Sequence, residues 1–222
     1  MSENLPNQPF AHLRLHTEFS INDGIVTIKP LIARLRENSM PAVAITDLAN
    51  MFSLIKFYTA SLKAGIKPVC GCDVLVESDD GSKQTRLVLL VKSEAGYLSL
   101  TKLISELYTE NPSQSEPTVC KSKLAGRVDG LIALSGAQNS DIGVALLADE
   151  KDLAKELLAE WQQLFPENFY LELQRVGKAE EEDYIDAAVA LAIETNTPVV
   201  ATNDVRFLDQ DDFDAHEVRV CI

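Results

Sequence analysis

The sequence predicts an α/β fold: a parallel sheet, covered on its outer side by helices and closed into a barrel. Three observations carry this prediction. Apolar runs of strand length alternate with longer segments of helical period. The strand-like runs are almost continuously apolar, as strands buried on both faces are. About seven such strand-helix repeats follow one another, enough to close an α/β barrel.

Taken in order, Phe10 to Leu15 reads as a strand, and Thr27 to Asn38 as a helix that Ser39-Met40-Pro41 ends. Ala42 to Thr46, AVAIT, is a second strand, and Met51 to Ala64 is helical. Gly65 to Val76, GIKPVCGCDVLV, is extended, and the polar ESDDGSKQT turns the chain toward RLVLLV at Arg86 to Val91, a pair resembling a hairpin. Leucines at helical spacing mark a helix over Gly96 to Thr109, and ENPSQSEP reads as an exposed loop. Leu131 to Leu134 is a short strand. Lys151 to Phe165 is a helix stopped by Pro166, with Leu153, Leu157, Trp161 and Leu164 on one face. Phe169 to Leu173 is a strand, Ala179 to Asn196 a helix and PVVAT a further strand. No internal linker interrupts these elements, so residues 10–222 read as one domain behind a polar tail, 1–9.

Hydrophobic residues make up 46% of the 222 and charged residues 24%, the balance of a soluble globular chain. The net charge of −14 repels phosphate backbones, so this acidic domain alone is a poor duplex binder. MSENLPNQ lacks the basic and apolar regions of a signal peptide, and no apolar run approaches the roughly 20 residues that span a bilayer. A cytoplasmic location without membrane contact is expected. Cys70, Cys72, Cys120 and Cys221 show no Cys-x-x-Cys pair. Cys70 and Cys72 share a strand face and could bind a soft metal, but without a second pair they read as small core residues.

In an α/β barrel the chemistry sits at the carboxyl ends of the strands. Asp47 ends AVAITD, Asp204 ends PVVATND, Asp73 ends PVCGCD and His16 ends FAHLRLH. Singly, Asp47 and Asp204 read as helix N-caps, His16 as a hydrogen-bonded core residue, and His216 in DQDDFDAHE as a solvated helix residue. Together they converge, and buried carboxylates require a cation. The chain supplies its own: Arg14 stands between His12 and His16, Arg86 opens RLVLLV, and Arg206 follows Asp204 by two positions. An arginine has no lone pair for a metal, but its fork pairs with carboxylates. The expectation is a cluster in which guanidinium groups neutralise aspartates; arginines turned outward into weak surface pairs are the alternative.

The combination FAHLRLHTEFSINDG, PAVAITDLANMF, AGIKPVCGCDV, LIALSG and PVVATNDVRFLDQDDFDAHEV resembles the amino-terminal polymerase-and-histidinol-phosphatase (PHP) domain of bacterial DNA polymerase III alpha subunits, in order from about Phe10 onward. The resemblance implies a distorted (β/α)7, TIM-like barrel. In metal-binding members its mouth holds Zn, Mn or Fe for phosphoester hydrolysis. On that comparison His16, Asp47, Asp204 and His216 keep the family's ligand types, and Asp73 stands where glutamate is usual. His12 and Arg14 flank the start of the motif, and Arg14 replaces its first histidine. Leu48 and Arg86 replace two more histidines, Ala137 a cysteine, and Arg206 displaces the histidine after Asp204.

The resemblance therefore implies the proteobacterial type with a degenerate metal site: no cofactor and no catalytic residue in this domain, or at most Zn or Mn on His16, Asp47, Asp73, Asp204 and His216. The longer parent is expected to be a DNA-directed DNA polymerase, a nucleotidyltransferase of DNA replication that uses Mg in a domain beyond this one and reaches DNA there. Expected partners are the proofreading exonuclease subunit and the other polymerase III holoenzyme subunits. The alternative is a residual metal-dependent phosphoesterase or pyrophosphatase. A free-standing phosphatase is disfavoured, since such an enzyme would keep its histidines and the chain has three. Ending at HEVRVCI just after the last motif, the chain reads as a piece of a longer protein with its barrel truncated.

Overall fold

The computed structural model describes residues 10–21, 23–78, 81, 83–110 and 117–221. The expected tail at 1–9 and most of the ENPSQSEP loop lie outside these residues. Among the described residues seven strands and seven α-helices follow in the order α1 Ile28–Glu37, β1 Ala42–Ile45, α2 Leu54–Lys63, β2 Lys67–Glu77, β3 Gln84–Val91, α3 Glu94–Glu110, β4 Thr118–Cys120, β5 Leu131–Leu134, α4 Asp141–Leu147, α5 Lys151–Leu164, β6 Phe169–Gln174, α6 Glu181–Thr195, β7 Val199–Thr202 and α7 Phe213–Val220.

The sheet runs β1-β2-β3-β5-β6-β7, with β4 beside the far half of β2. It is mixed: β3 is antiparallel to β2, as the hairpin-like pair predicts, and to β5, which corrects the otherwise parallel expectation, whereas β1–β2, β5–β6 and β6–β7 are parallel. The connection from Glu77 to Gln84 is too short for the crossover a parallel neighbour needs, so the chain folds straight back. The expected strand at Phe10 to Leu15 forms only isolated bridges. His12 pairs with Val43 and Leu15 with Val205, while Thr46 N–H donates to Leu15 O at 2.9 Å and His16 N–H to Val205 O at 2.9 Å. This segment thereby links β1 to Val205 after β7 and lies across the open side of a sheet curled into a half-barrel.

Period-two alternation sorts what enters that interior. Ala44, Val88, Leu90 and Leu134 form an apolar layer with Val69, Ile132, Tyr170 and Val200 against it. Two residues farther along their strands toward the mouth, the same faces carry Asp73 after Gly71, Arg86 before Val88, Glu172 after Tyr170 and Thr202 after Val200. Outside the sheet, one large core joins β2, β3, β5 and β6 to α3 through α6, and a second joins Leu15 and β1 to α1 and α2. The buried stripe of α5 is Ala154, Leu158 and Trp161, with Phe165 after it, and Leu153 is 38% exposed. The buried face is thus rotated from the one expected from the leucines alone, with Ala154 rather than Leu153 turned into the core.

Gly96 marks a close approach of α3 to the loop before β5. A Cβ there would lie 1.9 Å from the backbone oxygen of Gly130. Gly96→Ala is therefore expected to destabilise by about 1–3 kcal/mol, the range of an overpacked core. A urea midpoint equal to wild type would remove this account of the glycine.

Candidate functional site

The mouth of the barrel is filled by a buried network of opposite charges. Arg14, on the bridging segment, is 1% exposed and extends into the interior. Its Nη2 donates to Asp73 Oδ2 at 2.7 Å, its Nη1 to Glu172 Oε2 at 3.3 Å, and its Nε lies 3.6 Å from Asp204 Oδ1. Asp73 Oδ2 also meets His16 Nε2 at 3.1 Å and Arg86 Nη1 at 3.1 Å. Asp204 pairs with Arg206 Nη2 at 2.7 Å and with Lys178 Nζ at 2.8 Å. Asp23 binds Arg86 Nη1 at 3.4 Å, Arg206, and His16 Nδ1 at 3.0 Å, and Arg206 also contacts His16 Nδ1. Four cations, Arg14, Arg86, Arg206 and Lys178, thus face four carboxylates, Asp23, Asp73, Glu172 and Asp204.

The electrostatics follow from this pairing. Burial alone would push the Asp73 carboxyl up, but Arg14, Arg86 and the His16 hydrogen bond overcome it and hold Asp73 well below the ordinary range. Asp204 is lowered in the same way, with Arg14, Arg206 and Lys178 outweighing its burial. Asp23 comes down to about 2, as His16, Arg206 and Arg86 win over desolvation. On the cationic side burial opposes the charge, and Asp73, Glu172 and Asp204 still raise Arg14.

Asp47 stands apart from this cluster, contrary to the expectation of arginine pairing. It accepts from Thr17 N–H at 2.6 Å, Thr17 Oγ1 at 2.8 Å, Ser20 Oγ at 2.8 Å and Ser53 Oγ at 2.5 Å. Nor does it cap a helix, since Ser53 occupies the position before α2. Neutral donors arranged by one turn after the bridging segment and one before α2 satisfy its charge. Asp73 is mid-strand rather than at a strand end, because β2 continues to Glu77 to pair with β3 and β4.

The remaining expected positions are scattered around the cluster. His216 lies on α7 with its ring 5.6 Å from that of Phe207, and none of the cluster's ion pairs among the described residues reaches it. His12 packs edge-on against Phe10, and burial lowers its pKa. Leu48 bridges Asp73 through its backbone and donates its N–H to Ser20 Oγ at 3.1 Å. Ala137 is buried at a left-handed φ of 54°.

Three members of the network escaped the sequence reading: Asp23, Lys178 and Glu172. Glu172 carried a signal, being the single carboxylate inside the strand FYLELQ. It accepts from Gly136 N–H at 3.0 Å, from Gln174 Nε2 at 3.1 Å and from Thr202. Gly136 sits at φ +92°, and a Cβ there would come 2.3 Å from Arg86 O. Only glycine lets that N–H approach Glu172 while β3 passes so close.

The donor set does not fit a metal cluster. The free lone pairs a cation needs are taken: Asp73 Oδ2 by three N–H groups, Asp204 by Arg206 and Lys178, Asp47 by hydroxyls, and both ring nitrogens of His16. Asp73 Oδ1, His12 Nδ1 and His216 Nε2 are the exceptions among the expected positions, buried with no hydrogen-bond partner among the described residues, and the two histidines lie outside the cluster's ion pairs. Among the described residues no group of three or more His, Cys, Asp or Glu is arranged to hold an ion. Nor is any helix among them long and apolar enough to cross a membrane.

Comparison with known proteins bears on this site. The PHP domain family matches residues 12–176. DNA polymerase III subunit alpha of Pseudomonas aeruginosa is 49% identical over 214 residues, those of Escherichia coli and Vibrio cholerae 44% and 40%. Each alignment covers 96% of this chain and 18% of the relative, so the chain spans under a fifth of their length. An amidohydrolase from Chromobacterium violaceum, solved with bound sulfate and no metal, superposes with a TM-score of 0.62 at 15% identity over 94% of this chain and 96% of that one. That likeness shows the fold, a TIM-barrel-like one.

Proposed function

The chain belongs to the PHP domain family, and on that premise we propose that it is a non-catalytic PHP barrel of a DNA polymerase III alpha subunit. In this reading it braces the polymerase and docks the proofreading exonuclease subunit, while a longer parent chain extends DNA with Mg held outside this domain. The observation that carries the reading is the internal neutralisation of Asp73 and Asp204 by Arg14, Arg86 and Arg206. Fixed guanidinium charges do the electrostatic work that ions would otherwise do. They offer no bound water to ionise, so the site has no source of a hydroxide nucleophile. The comparisons support the family and the kind of parent.

A second reading, a residual metal-dependent phosphoesterase or pyrophosphatase, rests on the unpartnered Asp73 Oδ1, which could join His16 in holding one Zn or Mn if Arg14 swung aside. One experiment separates the two. Elemental analysis of chain purified without chelator, and again after incubation with Zn, Mn and Fe, is expected to give far less than one ion per chain. Assays of phosphoester and pyrophosphate hydrolysis are expected to match a no-protein blank. A bound ion together with turnover lost in Asp73→Ala would establish the second reading. Docking is read separately, as co-elution of the chain with the exonuclease subunit in size-exclusion chromatography.

A further inference from the structure

The outer groove between α1 and α2 is basic, although the domain around it is acidic. α1 buries Ile28, Leu31 and Leu35. On one flank of that stripe Arg34 reaches Asp209, ahead of α7, at 2.7 Å. Lys29 and Arg36 therefore take the other flank, toward α2, because at about 100° per residue both fall on the side away from Arg34. α2 buries Phe57 and Ser61, and its Tyr58 flank borders Tyr97 of α3. That leaves Lys56 and Lys63 on the flank toward α1, where Ala60 and Ile32 pack against one shared core. Each pair is seven residues apart, nearly in line and about 10 Å along its helix. Two rows of exposed cations thus face each other across Ala60 and Ile32.

Residues 27–70 carry Lys29, Arg34, Arg36, Lys56, Lys63 and Lys67 against Glu37 and Asp47, a sum of +4. The rest of the chain then sums to −18 for the total of −14. Asp47 is buried and Glu37 lies 3.5 Å from Arg34, so neither neutralises the rows. Among the described residues Lys29, Arg36 and Lys63 enter no ion pair, and Lys56 enters one, with Glu18 at 3.9 Å. Unpaired cations along a groove attract a polyanion, and a nucleic-acid strand, with a charge about every 3.4 Å, meets each step of the rows. An acidic peptide draws most of its affinity from apolar anchors, and the half-buried Ala60 and Ile32 offer them little area. Phe52 supplies an aromatic platform, 64% exposed at the entrance to α2 and four positions ahead of Lys56. Single strands are held in this way, with bases stacked on rings and phosphates on cations. We propose that the α1–α2 groove binds single-stranded nucleic acid, its phosphates along Lys29, Arg36, Lys56 and Lys63 and a base on Phe52. At 0.1 M salt the screening length is about 10 Å, so the acidic α5 and α6 elsewhere on the barrel do not cancel the attraction. This role goes beyond the scaffold function and stands whether or not the mouth holds an ion, because the groove lies outside the sheet.

The test uses the 222-residue chain and a fluorescein-labelled oligothymidine of about 20 nucleotides, followed by anisotropy through a salt series that starts near 0.1 M. Binding with a dissociation constant on the order of 0.1 mM is expected, and log K should fall against log salt with a slope of about −3, as for four phosphates of a single strand. Lys29→Glu with Lys63→Glu is expected to weaken binding about ten-fold or more, and Phe52→Ala about ten-fold. All three positions are exposed, so folding should survive. Lys151→Glu, the same charge change at the start of α5, serves as the unaffected control. The inference is overturned if the oligothymidine does not bind, if Lys29→Glu with Lys63→Glu binds as wild type does, or if Lys151→Glu weakens binding as much. A Glu-rich peptide bound as tightly as the oligothymidine would overturn it in favour of an acidic protein partner. A duplex of equal length bound as tightly, with Phe52→Ala silent, would overturn the single-strand assignment.

Discussion

Arg14→Met is expected to lower stability by about 3–5 kcal/mol, the range for removing one partner of a buried ion pair. The side chain is fully buried and lies against Asp73, Glu172 and Asp204. Methionine fills a similar volume, so little of the loss would come from a cavity. What remains is Asp73 held by His16 and Arg86 alone, and Glu172 facing Gly136, Gln174 and Thr202 without a charge. For a chain of this size the shift in melting temperature is on the order of 10 °C. Arg14→Met combined with Glu172→Gln removes one charge of each sign and is expected to cost less than the sum of the two single changes, the signature of a shared network. By contrast Arg34→Ala, whose exposed side chain pairs with Glu37 and Asp209, should leave the melting temperature unchanged. An Arg14→Met protein as stable as wild type would mean that the barrel mouth is not held by its charges.

Stability is also expected to fall steeply as pH drops from about 4 toward 2. Asp23 is held at about 2 in the folded chain against an ordinary value of 3.8, and Asp73 and Asp204 are depressed as well. A carboxylate whose folded pKa is lowered contributes stability above its unfolded pKa. Below that value the unfolded chain takes up protons that the folded chain refuses, and the contribution is lost as pH falls through the folded pKa. At about 1.4 kcal/mol per unit, Asp23 alone accounts for about 2 kcal/mol, with its side chain 25% exposed. The check is a series of urea unfolding curves through this window for wild type and Asp23→Asn. The variant is expected to show a shallower decline, by the equivalent of about one proton, because the group that titrates differently in the two states is gone. Parallel curves for the two proteins would detach the acid sensitivity from this site.

Much of the candidate site was legible in the sequence. That Arg14, Arg86 and Arg206 neutralise aspartates could be expected because carboxylates converging on one buried mouth require a countercharge, whatever the exact geometry. The assignment failed at Asp47. Thr17, Ser20 and Ser53 look like ordinary turn residues in a string of letters, and only the fold brings three hydroxyls and an N–H around one carboxylate. Glu172 was missed for the related reason that a lone acid in a strand gives no hint of which face it occupies until the barrel closes around Arg14.

The sequence by itself determined the alternation of strands and helices, the family and the residue types at the mouth, since these depend on local periodicity and on the identity of side chains. Tertiary structure decided the rest. The antiparallel pairing of β3 with β5 is one such feature, and the first segment links the two ends of the sheet by single bridges because β1 and Val205 hold it from both sides. Which carboxylate meets an arginine and which meets hydroxyls is likewise a long-range matter, with Arg14 and Glu172 brought together across 158 residues. Hydrophobic periodicity reports which face of an element is buried, but it carries no information about the partner that face will meet.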